Sequence, residues 1–166
     1  MYLDPTPVQI MSRLIKPDGW KIDESSKAFA TNKITQAMCE EKGVPIAAAL
    51  DEFMAMWSTC TVFAAYGMRF DSKLLRGELR RAGRPDCFGL RPEVDLIQVA
   101  GAELQRRGLG NGRWVKLGAA VSLLLNRDQT TAHEGQSDAV DAARLYYHFA
   151  KNGPLEPKIR ISKEDR

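Results

Sequence analysis

The feature that most constrains the fold is a stretch near the carboxyl end, residues 133–149, which reads HEGQSDAVDAARLYYHF. At about 100° per residue, its apolar side chains fall on one face, as in a helix packed against a core. Asp138 lies on that face, and a carboxylate there is costly unless it is paired, for example with a metal ion. His133 is expected to reach the same place from the turn before the helix. The apolar members of the face are Ala142, Leu145, Tyr146 and Phe149.

Local structure offers a second explanation for the polar residues of this stretch. Thr131 and Glu134 fit a T-x-x-E capping box, and acidic residues in a first helical turn interact favourably with the helix dipole. Further along, Asp141 and Arg144 have the i,i+3 spacing of a weak surface ion pair. The stretch taken alone leaves both explanations of Asp138 open.

A second acidic position follows an apolar run at residues 61–66 (TVFAAY), which is typical of a buried strand. A helix is predicted over residues 71–82, and Asp71 lies on its apolar line with Leu74, Leu75 and Leu79. Asp71 could simply be the N-cap of that helix. Two carboxylates at helix starts, with a histidine beside one, nevertheless suggest a shared site, because such clusters hold divalent metals for phosphoryl transfer.

The helix after Asp71 also carries a row of basic residues opposite its apolar stripe. A basic ridge beside an acidic site could bind the phosphates of a nucleic acid. Such rows are also common as solvated helix faces, so both interpretations stay open. The members of the ridge are Arg69, Lys73, Arg76 and Arg80.

The other patterns predict a helix-rich α/β domain over residues 1–150 and a charged, mobile tail over residues 151–166. A strand is predicted over residues 8–15, with Trp20 packing back onto it, and a strand running into a helix over residues 94–104. The further predicted helices cover residues 35–42, 45–57 and 114–125.

The amino-acid composition bears on where the protein resides in the cell and on which partners it binds. The hydrophobic fraction of 44% supports a real core, and a net charge of +3 does not by itself demand a nucleic-acid partner. Cys39, Cys60 and Cys87 are odd in number and form no C-x-x-C pair, which favours reduced thiols in the cytoplasm. No apolar run approaches membrane-spanning length, so no membrane association is expected.

Taken together, these regions resemble the DEDDh 3′–5′ exonucleases, the DnaQ-like proofreading-subunit type with a ribonuclease-H-like fold. FAAYGMRFDSKLLRGELRRAG resembles the family's second motif, usually His-Asn followed by Phe-Asp and a helix, and HEGQSD resembles the third, His and Asp separated by four residues. LIKPDGWKI with NKITQAMCEEKGVP resembles the strand, turn and short helix between the first two motifs, and WVKLGAAVSLLL the helix before the third. The resemblance covers about residues 8–150.

The resemblance implies a metal-dependent hydrolase. Asp71 and Asp138 would be metal ligands and His133 the general base, a role that suits an imidazole because its pKa lies near neutrality. Two Mg²⁺ or Mn²⁺ ions about 3.5–4 Å apart would activate the water and stabilise the leaving oxygen. The implied partners are a single-stranded or frayed 3′ end of DNA, or RNA, and a DNA polymerase.

The sequence departs from the family in two places. Tyr66-Gly67 stands where the family usually has His-Asn, and the first motif, Asp-x-Glu on the opening strand, is absent. By the resemblance, residues 8–15 match the family's third strand, so its first two strands would lie upstream of Met1. We therefore expect an N-terminally incomplete ribonuclease-H-like fold with a gap in its sheet. Either the chain is a fragment, or the remaining strands close up, or a second copy lends its edge in a homodimer.

Three functional hypotheses follow. With two of the family's four metal carboxylates, the chain is expected to be a poor or inactive 3′–5′ exonuclease. Alternatively, it is a non-catalytic module of the same fold that binds nucleic acid or a polymerase through the basic ridge. The third hypothesis is that the chain is an unrelated, mostly helical protein. Asp71, His133 and Asp138 would then be helix caps and surface residues, and they would lie far apart.

Overall fold

The computed structural model of the chain describes residues 11–112, 114–128, 135–153 and 155. Within them the chain forms seven helices and two short strands, so the predicted helix-rich α/β class is confirmed. In chain order the elements are α1 (Lys27–Asn32), α2 (Gln36–Lys42), α3 (Ile46–Thr59), β1 (Phe63–Ala65), α4 (Met68–Arg81), β2 (Glu93–Asp95), α5 (Leu96–Arg106), α6 (Leu117–Leu125) and α7 (Gly135–Asn152).

The two strands pair in parallel through the crossover helix α4. Phe63 lies opposite Glu93, and Ala65 lies opposite Asp95. Parallel neighbours need such a crossover, because a hairpin turn joins only antiparallel strands. The carboxyl ends of β1 and β2 therefore meet at one edge of the sheet, where α4 and α5 begin, and ligands of open α/β sheets bind at that edge.

The larger hydrophobic core joins β2, α5, α6 and α7. Leu145 of α7 is fully buried and Phe149 is buried one turn later, which confirms the helical periodicity of the stretch at residues 133–149. Ala142 and Tyr146 pack at the margin of this core. Its buried members are Val94, Leu96, Ala100, Leu104, Ala120, Val121, Leu124, Leu145 and Phe149.

A second core joins α3 to α4 and to the loop that follows α4. Leu50 of α3 and Leu79 of α4 are buried there with Cys87 and Phe88. The rings of Phe63 and Phe88 meet edge to face with centroids 5.1 Å apart. This contact ties the second core to β1.

Local signals in the amino-terminal half correctly predicted two helices. The Thr35 hydroxyl caps α2 by accepting a hydrogen bond of 3.1 Å from the Met38 N–H. Gly43 ends α2, and a Cβ atom there would overlap the Cys39 carbonyl oxygen, so the close backbone approach requires glycine. α3 begins directly after Pro45, as predicted.

The predicted strand over residues 8–15 is wrong for its described part. Residues 11–14 form no strand, and Ile15 makes one isolated parallel bridge with Val44. Residues 8–10 lie outside the described part of the chain. Trp20, expected to pack onto this strand, is 57% exposed. A β-branched, apolar run forms a strand only where a neighbour pairs with its backbone, and the sequence pattern does not supply that neighbour.

Several predicted boundaries also moved. α6 begins at Leu117 rather than at residue 114, which leaves Trp114 largely exposed. α7 continues to Asn152, and Leu155 packs against the larger core, so the fold extends past residue 150. The rest of the predicted tail lies outside the described residues.

Two further expectations concern membrane-spanning helices and the state of the three cysteines. In the described parts of the chain, none of the helices is long and apolar enough to cross a membrane. Cys39, Cys60 and Cys87 are all free thiols, and the first and last are buried. Thus no disulfide joins the three cysteines.

Candidate functional site

Asp71 and Asp138 line one pocket, with a volume of about 710 Å³, beside the carboxyl end of β1. Asp71 belongs to the first turn of α4, and Asp138 belongs to the first turn of α7. Both side chains are partly exposed. The structure thus brings together the two acids that were predicted to share a site, whereas their role as metal ligands stays a prediction.

The turn from β1 into α4 positions Asp71. Gly67 is the N-cap of α4 with a φ of 107°, a conformation that residues with a Cβ atom rarely adopt. Asp71 is therefore not the N-cap, and the local explanation of this acid is wrong. The Tyr66 hydroxyl donates a hydrogen bond of 2.7 Å to the Val115 carbonyl oxygen, which ties the turn to the segment before α6. The Tyr66 hydroxyl proton is thus engaged by a backbone carbonyl oxygen.

One wall of the pocket is a face of α7 built mainly from small side chains. Asp138, Ala142 and Tyr146 follow each other at i,i+4 spacing, and Ala139 and Ala143 lie beside them. The alanines leave space that longer side chains would fill. The rest of the lining is mainly apolar and includes Val62, Ala64, Ala65 and Leu117.

Asp95 is a third carboxylate in this region, and the sequence analysis did not single it out. It caps α5, and its side chain accepts a hydrogen bond of 3.3 Å from the Ile97 N–H. Burial raises the pKa of Asp71, and the negative charge of Asp95 raises it further. The same two causes raise the pKa of Tyr66. A detectable signal existed: Asp95 lies where the predicted strand runs into a helix, and that end of a strand is the sheet edge where ligands bind.

These donors suit a weakly held metal ion. Among the described residues, no group of three or more His, Cys, Asp or Glu side chains is arranged to hold a metal. Asp71 and Asp138 supply two hard oxygen donors at one pocket. Mg²⁺ is usually held by one or two carboxylates, water and substrate phosphates. The two carboxylates are thus donors that such an ion would accept, and metal binding by the pocket stays a prediction.

His133, the predicted general base, lies outside the described residues, as do Thr131 and Glu134 of the predicted capping box. α7 begins at Gly135, which itself lines the pocket. The stretch around His133 thus leads directly into the pocket wall along the chain, and the role of His133 stays a prediction.

The four residues of the basic ridge are not equivalent. Arg69, Lys73 and Arg80 are exposed on α4. The Arg76 guanidinium instead lies 3.1 Å from an Asp86 carboxylate oxygen, and 5.5 Å from the centroid of the Phe88 ring. Arg76 therefore packs the loop after α4 onto the second core, and nucleic-acid binding by the ridge stays a prediction.

Asp141 is the second residue that sequence analysis underestimated. It is fully buried rather than part of a surface pair, and it does not line the pocket. Its Oδ1 accepts a hydrogen bond of 2.8 Å from Arg144, while Oδ2 has no hydrogen-bond partner within the described chain. Its position one turn before Leu145 was the signal for this burial, and its contacts are those of a structural residue.

No protein-family model matches the sequence, and no curated protein matches it significantly. The residues of the pocket are therefore the basis on which a function can be inferred for this chain.

Replacing Asp71 with asparagine is expected to change how stability varies with pH. Because the pKa of Asp71 is raised in the folded protein, the folded state binds this proton more tightly than the unfolded chain does. The contribution of Asp71 to the free energy of unfolding is therefore fully present below its unfolded pKa, and it is lost as pH rises through the folded pKa. In measurements from about pH 3 to about pH 7, Asp71→Asn should therefore gain stability relative to wild type as pH rises above about 3.9, the pKa of an unfolded aspartate.

Urea unfolding across this pH range checks the expectation. Asp95→Asn is the informative companion, since asparagine also caps helices but carries no charge. It should reduce the pH dependence without abolishing it, because burial remains the larger cause. Asp18→Asn, at an exposed bend, should follow wild type. A wild-type pH profile for Asp71→Asn would contradict the raised pKa.

Proposed function

We propose that the chain is a metal-dependent phosphodiesterase of the 3′–5′ exonuclease type, with a ribonuclease-H-like fold and low activity. The observation that carries the proposal is the shared pocket of Asp71 and Asp138. Each acid stands in the first turn of a helix, at the positions that resemble the family's second and third motifs. The substrate is a single-stranded or frayed 3′ end of DNA, with RNA as the other candidate.

In this mechanism the side chains of the chain bind and orient the phosphate and move one proton. Asp71 and Asp138 would hold Mg²⁺ or Mn²⁺, and His133 would accept a proton from the attacking water. When bound, the ions polarise the phosphoryl oxygens and stabilise the leaving oxygen. The apolar wall of Val62 and Leu117 would keep bulk water from the phosphate.

Two features support low activity. The Asp-x-Glu motif is absent from the sequence, so Asp71 and Asp138 lack the two carboxylates that the family would add. The raised pKa of Asp71 also means that a metal ion competes with a proton for this carboxylate. Metal affinity should therefore increase with pH. A DNA polymerase partner and a homodimer remain predictions from the resemblance.

Cleavage of a 5′-labelled single-stranded DNA oligonucleotide tests the proposal, with the protein in molar excess and Mn²⁺ or Mg²⁺ present. We expect a slow ladder that shortens from the 3′ end and disappears with EDTA. Asp71→Ala and Asp138→Ala should each cleave at least about 100-fold more slowly, because they remove groups needed in the transition state. Asp18→Ala, an exposed aspartate outside the pocket, should keep the wild-type rate.

Fluorescence anisotropy with the same oligonucleotide separates the remaining outcomes. Metal-dependent binding without a ladder would contradict a hydrolase and favour the non-catalytic nucleic-acid-binding module. A ladder of unchanged rate in both alanine variants would place the activity elsewhere. If the wild-type protein shows neither metal-dependent binding nor cleavage, the family assignment itself is overturned.

A further inference from the structure

Tyr147 is an aromatic residue that lines the pocket. Neither the family resemblance nor the roles of the two acids explain why an aromatic ring lies there. Tyr147 lies on α7, and 54% of its surface is exposed. The neighbouring Tyr146 packs at the margin of the larger core. The two rings meet edge to face, with centroids 5.7 Å apart and an interplanar angle of 81°. This contact limits the orientations open to the Tyr147 ring, so a ligand would find it largely ordered in advance.

Between Asp138 and Tyr147, the pocket-facing surface of α7 is apolar and is formed mainly by short side chains. Ala139, Ala142 and Ala143 line the pocket along this part of α7. From Asp138 to Tyr147 the helix rises by about 14 Å and the side-chain direction turns by about half the circumference, so a ligand anchored at the carboxylates would cross the alanines obliquely to reach the ring. The pocket volume of about 710 Å³ is large enough for a ligand of nucleotide size.

We infer that Tyr147 stacks on a base of the single strand whose phosphate is bound at Asp71 and Asp138; this inference rests on the proposed function. Stacking on an aromatic side chain tolerates any sequence, because every base has a π face. The alanine surface suits the apolar faces of a base and offers few hydrogen-bonding groups that would select one base. In a duplex the base faces are already stacked, so the arrangement favours an unpaired end.

Anisotropy titrations with the full chain and Mg²⁺ test the inference. One oligonucleotide is a normal single strand, and the other has abasic sites at its 3′-terminal positions. Tyr147→Ala should weaken binding of the normal strand about tenfold or more, whereas Tyr147→Phe should bind like wild type. Tyr147→Leu, which keeps an apolar side chain without a ring, should resemble the alanine variant. On the abasic strand, wild type and Tyr147→Ala should bind equally weakly.

Trp20→Ala is the matched control, because Trp20 is 57% exposed but does not line the pocket. It should leave both affinities unchanged. Wild-type affinity of Tyr147→Ala for the normal strand would overturn the inference, as would an equal loss on both strands. In either case metal-dependent binding of the oligonucleotide would leave the proposed function intact. If the wild-type protein binds neither strand, both proposals fail.

Discussion

Arg144→Met is expected to lower the free energy of unfolding by about 3–5 kcal/mol, because it leaves a buried carboxylate without its charged partner. The side chain of Asp141 is completely buried, that of Arg144 is only 15% exposed, and their closest N–O distance is 2.8 Å. Methionine approximates the length and helix propensity of arginine, so the change removes mainly the charge and its hydrogen bonds. Urea unfolding at neutral pH measures the effect.

Two further variants decide whether burial is the cause. Arg106 forms an ion pair with Glu103 at the same i,i+3 spacing, but 72% of the Arg106 side chain is exposed, so Arg106→Met should have a much smaller effect. The double variant Asp141→Leu with Arg144→Met removes both charges and should recover most of the lost stability. Equal losses for Arg144→Met and Arg106→Met would refute the argument.

Leu145→Ala is expected to lower the free energy of unfolding by about 2–5 kcal/mol. Leu145 is fully buried in the larger core, where α7 packs against α5 and α6. The substitution removes buried methyl groups and leaves a cavity that close-packed neighbours can fill only in part. Urea unfolding should show a lower midpoint with an unchanged slope.

Leu123→Ala is the matched control, because it is the same substitution in a helix. Leu123 of α6 is 44% exposed, and its replacement should change stability by no more than about 0.5 kcal/mol. A similar loss at both positions would show that burial in the larger core does not determine the effect of Leu145→Ala.

Arg144 and Leu145, the residues changed in these two predictions, lie on α7, which also carries Asp138 of the candidate site. α7 presents Asp138 and Tyr147 to the pocket, Leu145 to the larger core and Asp141 to a fully buried position. Substitutions at its buried residues could therefore lower nucleic-acid binding indirectly through loss of folding. For this reason the functional tests use partly exposed pocket residues and compare them with exposed residues away from the pocket.

Local sequence signals predicted those parts of the structure that depend on neighbours in the chain. The apolar spacing of α7 was confirmed, as were the helices predicted over residues 35–42 and 45–57, which are α2 and α3. Each follows from i,i+3 and i,i+4 contacts or from capping within one turn. The strand predicted over residues 8–15 failed in its described part, because strand formation depends on a partner that lies elsewhere in the chain.

The sequence by itself determined the helix-rich α/β class and the placement of Asp71 and Asp138 in first helical turns, because periodicity and helix starts are local properties. Only the tertiary structure decided that Asp71 and Asp138 line one pocket, that Asp95 acts on Asp71, and that Tyr147 stands at the pocket. The parallel pairing of β1 with β2 brings Asp95 near Asp71. α7 packs against β1, α5 and α6, and this packing leaves Tyr147 exposed beside the pocket. Both arrangements join residues distant in the chain, and no local pattern encodes them.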